Sequence, residues 1–109
     1  MIPEIDIGAA SELLASGDAV FVDIRDARAF ASAHISGAIQ ATPERMEALL
    51  AETPKDAAIV VVCYHGNSSR QATAWFHQQG FTGARSMSGG FESWRMAAAN
   101  DDAYAIEPG

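Results

Sequence analysis

Cys63 is the only cysteine among the 109 residues, and it heads the run Cys63-Tyr64-His65-Gly66-Asn67-Ser68-Ser69-Arg70. A thiolate is a nucleophile, and the neighbours of this sulfur are suited to producing one. The apolar stretch Ala58–Val62 ends directly before it, and a helical pattern begins near Ser69. A strand, a cysteine-headed loop and a helix N-terminus together gather backbone N–H groups and the positive helix end about one sulfur. Such surroundings lower a thiol's pKa and hold an anion beside it. Without those neighbours, a lone cysteine after an apolar strand reads equally well as a core residue.

The elements that must position the loop follow from periodicity and punctuation. Ile5-Asp6-Ile7 alternates as a short edge strand does. Gly8–Ser16 repeats apolar residues at i,i+4 and stops at Gly17, which predicts a short helix. Ala19–Ile24 is a continuous β-branched and aromatic run, the pattern of a strand buried on both faces. Arg28–Ala33 allows a turn or two of helix, and His34–Ile39 a turn leading into a short strand. Thr42-Pro43 starts a helix to Ala51, with Thr42 as N-cap, Pro43 at the first position, and Met46, Leu49 and Leu50 inward. Ala58–Val62 is the strongest strand. The helix from Ser69 to Gln79 sets Ala72, Trp75, Phe76 and Gln79 on neighbouring turns and closes at Gly80. Phe81–Met87 holds another short strand. Gly89-Gly90 breaks the chain, and Phe91–Ala98 forms a last helix. Asn100–Gly109 has no periodicity and is expected along the surface or mobile.

Strands alternating with helices predict an α/β fold with a mainly parallel central sheet. In such sheets ligands bind at the carboxyl ends of the strands, where Cys63 stands. The length fits one domain. Composition, 49% hydrophobic and 19% charged, is that of an ordinary globular protein. No apolar run approaches the roughly 20 residues of a membrane helix, and no signal segment is expected at the acidic start. One cysteine excludes an internal disulfide and a multi-cysteine zinc cage, so a reducing, cytoplasmic setting is expected. The net charge of −7 argues against nucleic acid or an anionic membrane as partner. Any anion at the Cys63 loop must then be held locally, at contact distances within the ~8 Å over which salt screens remote carboxylates.

Four segments in order carry a resemblance to a known family: Val22-Asp23-Ile24-Arg25, Ala33-His34-Ile35-Ser36-Gly37-Ala38, Cys63-Tyr64-His65-Gly66-Asn67-Ser68-Ser69 and Gly89-Gly90-Phe91-Glu92-Ser93-Trp94. With these the chain resembles the rhodanese (thiosulfate sulfurtransferase) family, in particular its short single-domain bacterial members of the GlpE type. The resemblance implies a single rhodanese-like domain over residues 1–99, with 100–109 as a C-terminal tail. It implies that Cys63 takes the sulfane sulfur of thiosulfate as a persulfide and passes it to cyanide or a dithiol such as thioredoxin. It implies no metal and no cofactor. On that resemblance Tyr64, His65, Gly66, Asn67, Ser68 and Ser69 are expected to form the binding loop, with Gly66 allowing positive φ and Ser68 offering a hydroxyl to the sulfur. The resemblance also implies that Asp23 and Arg25 support the site by bridging loops. A persulfide relay between proteins uses the same chemistry; a non-catalytic module would lack the need for Cys63.

Many members of the family carry Arg or Lys inside this loop. Here those positions hold Tyr64, His65 and Asn67, so weak thiosulfate binding is expected. Cysteine phosphatases and arsenate reductases use Cys-(five residues)-Arg, but the sixth position after Cys63 is Ser69 and Arg70 falls one later. His34 is expected to anchor a turn against Gly37, His77 to face solvent, and His65 to sit on the loop rim or brace the loop.

Overall fold

The computed structural model describes residues 1–109. Its elements run β1 (Glu4–Ile5), α1 (Ile7–Ser16), β2 (Ala19–Asp23), α2 (Ala27–Ser32), β3 (His34–Ile35), β4 (Ile39–Gln40), α3 (Pro43–Glu52), β5 (Ala58–Val62), α4 (Ser68–Gln78), β6 (Ala84–Met87), α5 (Gly90–Ala98) and β7 (Ile106–Glu107). Five strands form one sheet in the order β1-β6-β5-β2-β4, and every pairing in it is parallel. The expected α/β fold with a parallel sheet flanked by helices is the observed one. The central strands β2 and β5 pair along their full lengths, from Ala19–Ala58 to Asp23–Val62.

Both faces of the sheet are covered, which is why these strands read as unbroken apolar runs. Phe21, Val60 and Val62 point to one side, where Ala10 of α1, Phe30 of α2, and Phe91 and Trp94 of α5 pack. Val22, Ile59 and Val61 point to the other, against Leu49 of α3, Phe76 of α4 and Phe81. Each fully buried aliphatic or aromatic side chain of this kind contributes roughly 1.5–3 kcal/mol. The helix starts are set by side chains: Asp6 Oδ1 accepts from Ala9 N at 2.7 Å, Asp26 Oδ1 from Ala29 N at 2.9 Å, and Thr42 Oγ1 from Arg45 N at 3.2 Å.

Some local expectations shift. Asp6 is a cap, so the first strand stops at Ile5 rather than Ile7. Phe81 belongs to the turn that closes α4, where its N–H returns to Phe76 O, and the strand begins only at Ala84. On α4 the buried stripe is Ser69, Thr73 and Phe76, whereas Trp75 is 39% exposed and Gln79 is exposed. Ser69 turns toward Cys63 Sγ and Thr73 Oγ1 donates back to Ser69 O, so apolar periodicity misplaces the axis of the stripe. His77 does not face solvent freely: its Nε2 lies 2.9 Å from Ala84 O and ties α4 to β6.

The last ten residues are docked. Ile106–Glu107 pairs antiparallel with His34–Ile35, and Tyr104 sits edge-on to Trp94 at 5.0 Å between centroids. His34 therefore does not brace Gly37. It stacks on Phe30, places Nδ1 2.8 Å from Phe30 O, and meets Glu107 Oε2 at 3.3 Å.

Candidate active site

Two parallel strands end side by side at Asp23 and Val62, and the chain continues from them into the Ile24–Asp26 turn and the Cys63–Asn67 loop. Cys63 is 3% exposed. Gly66 N donates to its Sγ at 3.1 Å, and Ser69 Oγ lies 3.2 Å away. Burial pushes the thiol pKa up, but the Ser69 hydroxyl and the N–H groups of Ser69, Gly66 and His65 outweigh it and leave the thiol below its ordinary value. The donors come from the loop and from the first turn of α4, so the positive helix end also acts on the sulfur. The loop curls tightly because Gly66 takes φ 91°. A Cβ there would lie 2.9 Å from Gly89 N.

The hydroxyl on the sulfur is Ser69's, not Ser68's. Ser68 opens α4 and faces outward, while Ser69 turns inward and is fully buried. Ser69 in turn lies 2.7 Å from Ser86 Oγ on β6, also fully buried. Nothing in the sequence flags Ser86, which becomes a neighbour only through the β5–β6 pairing. Tyr64, His65 and Asn67 are exposed on the outer side of the loop. Arg70 leaves the loop altogether and pairs with Glu4 at 3.0 Å.

Asp23 and Arg25 brace this end of the sheet. The Arg25 guanidinium bonds both Asp23 carboxylate oxygens and donates to Ala33 O at 2.7 Å, and it lies over the Phe91 ring at 4.0 Å. Phe91 N donates to Cys63 O at 2.8 Å and Glu92 N to Tyr64 O at 3.0 Å, so α5 grips the loop from behind. Tyr64 Oη donates to Asp26 Oδ2, the carboxylate that caps α2. That bond holds the Asp26 carboxyl below its usual range and the Tyr64 phenol above its own. Arg25, Ala33, Tyr64, Phe91 and Arg95 line a cleft of about 210 Å³ beside the loop.

A parallel α/β sheet with a cysteine loop at the end of a central strand is the arrangement expected of a rhodanese-like domain, and the sequence profile of the rhodanese-like domain family matches residues 6–97. The chain belongs to this family. Among particular relatives, the thiosulfate sulfurtransferase GlpE of Pseudomonas aeruginosa strain LESB58 is 49% identical over 88 residues, 81% of this chain and 80% of that protein. The fold is shared with the rhodanese-like domain of the Anabaena sp. Alr3790 protein, at TM-score 0.79 and 22% identity, covering 99% of this chain and 80% of that one. It is similar also to the human single-domain sulfurtransferase TSTD1, at TM-score 0.74 and 26% identity over 88% of this chain and 97% of that one.

Proposed function

We propose that this protein is a thiosulfate sulfurtransferase with Cys63 as nucleophile. The observation that carries this reading is the Cys63 sulfur itself, buried yet favoured as a thiolate by the donors that converge on it. In the first step the Cys63 thiolate attacks the outer sulfur of thiosulfate. A bond forms between the two sulfurs, the S–S bond of thiosulfate breaks, and its electron pair leaves with sulfite. The enzyme is left as a persulfide anion. In the second step an acceptor, cyanide or a dithiol of the thioredoxin kind, attacks the outer sulfur, and the electron pair returns to Cys63. This is covalent, two-step catalysis without a cofactor. Backbone N–H groups of the loop stabilise the charge on the outer sulfur, as preorganised donors do at developing anions. A cytoplasmic setting keeps Cys63 reduced.

Mass spectrometry after incubation with thiosulfate tests this reading. The wild type gains one sulfur atom and loses it on adding cyanide or a dithiol, and Cys63→Ser gains none. A gain in Cys63→Ser would refute the nucleophile. No gain in the wild type would favour a relay in which a protein donor replaces thiosulfate. Loading also accelerates as pH rises through the Cys63 titration, because only the thiolate attacks, and it levels off below the pH range of an ordinary cysteine.

A further inference from the structure

Cys63, Ser69 and Ser86 form a buried row of one thiol and two hydroxyls, spaced 3.2 and 2.7 Å. The three are 3%, 0% and 0% exposed, and Ser69 is the only hydrogen-bond partner of Ser86 Oγ. Each hydroxyl has one proton to donate. While Cys63 is a thiol, its proton can rest on Ser69 Oγ, and Ser69 can point at Ser86. Once the sulfur is ionised it accepts only, so Ser69 must turn its proton onto Sγ. Ser86 must then donate to the Ser69 oxygen. The row reverses with the charge on the sulfur, and each bond polarises the next.

We infer that Ser86 is a positioning residue that acts through Ser69 to favour negative charge on the inner sulfur, and therefore acts unequally on the two half-reactions. The inference rests on the sulfurtransferase reading. The row touches Sγ of Cys63, which loses its charge when the persulfide forms and regains it when the outer sulfur departs. In the discharge step Sγ is the leaving atom, and a leaving thiol of lower pKa departs faster. In the loading step two effects oppose: more thiolate is present at neutral pH, but each thiolate is a weaker nucleophile, with a Brønsted coefficient of about 0.4–0.5. Discharge is therefore where the row speeds the reaction, and loading gains only below the thiol's titration midpoint.

The test measures the two half-reactions separately from pH 6 to 10, for the wild type, Ser86→Ala and Ser86→Thr, with melting temperatures alongside. Loading is followed by sulfite release from thiosulfate, and discharge by mixing preloaded enzyme with cyanide. In Ser86→Ala, discharge slows by about two- to threefold at every pH, as a half-unit rise in the pKa of the leaving thiol allows. The pH midpoint of loading rises by about half a unit or more, while loading above that midpoint changes by less than about twofold. Ser86→Thr, which keeps the hydroxyl, restores both. A uniform fall in both half-reactions with an unmoved midpoint would overturn the inference, as would no change. The pH midpoint of Cys63 alkylation by iodoacetamide needs no thiosulfate. Should thiosulfate fail to load the wild type, the sulfurtransferase reading fails, and an alkylation midpoint unmoved by Ser86→Ala would overturn the role of Ser86 on its own.

Discussion

At the scale of single residues, the two serines that follow Asn67 separate cleanly. Ser69 Oγ is in reach of the sulfur and Ser68 is exposed, so Ser69→Ala and Ser68→Ala have different outcomes. Removing a hydrogen bond to a charged group costs about 1.5–3 kcal/mol, which moves a thiol's midpoint upward by about 1–2 pH units. Ser69→Ala shows that rise in an alkylation titration, and Ser68→Ala leaves the midpoint in place. The loop's missing cation is also a residue-scale matter. Asn67 is exposed on the rim, where an introduced guanidinium would meet an incoming dianion without disturbing the core. Asn67→Arg lowers the KM for thiosulfate by about threefold or more, an attraction worth roughly 0.7 kcal/mol at a screened surface site. Steady-state kinetics with thiosulfate as the varied substrate measures it, and an unchanged KM would count against weak anion capture as the property of this loop.

Elements decide which residues can meet, and here the limit of sequence legibility is physical. Cys63 and Gly66 were legible because everything that qualifies them lies within a few positions: an apolar strand before, a glycine inside, a helix after. The parallel sheet was legible for a similar reason, since burial on both faces leaves unbroken runs such as Ala58–Val62. Ser86 was not legible, because its approach to Ser69 depends on β6 lying beside β5, and strand order leaves no local mark. Ser68 is the residue the family resemblance points to, five positions past Cys63, but α4 begins there and turns its hydroxyl outward while Ser69 turns inward. Gly90 illustrates the same dependence between elements. It has φ 61°, and a Cβ there would lie 2.5 Å from the carbonyl carbon and oxygen of Tyr64. Gly90→Ala must therefore push α5 away from the loop and weaken the bonds from Phe91 N to Cys63 O and Glu92 N to Tyr64 O. The expected loss is about 2–4 kcal/mol in urea unfolding, with a fall in loading rate larger than the unfolded fraction explains.

At the scale of the whole molecule, the chain's last ten residues complete a wall that the strands and helices alone leave open. Trp94 is fully buried, and part of what covers it is Tyr104, while its Nε1 donates to Ala105 O at 3.3 Å. The same carbonyl accepts from Ser36 N at 3.1 Å, and Gly109 N reaches Ala31 O at 2.8 Å. Ending the chain at Ala99 would uncover one face of the indole and leave Trp94 Nε1 and His34 Nε2 without their protein partners. An exposed aromatic face and the loss of these four hydrogen bonds, whose freed groups regain water, together cost about 2–4 kcal/mol. In a domain of this size that corresponds to a melting temperature lower by about 10–20 °C. The Cys63 loop is held by other contacts, at the N-terminal end of α5 and along β6, so the truncated protein loads sulfur at 15 °C within about threefold of the full chain, a difference of roughly 0.7 kcal/mol in barrier. Thermal unfolding followed by circular dichroism, with loading rates at low temperature, checks both halves. A truncated chain that melts within a few degrees of the full one would mean that residues 100–109 rest on the fold without supporting it.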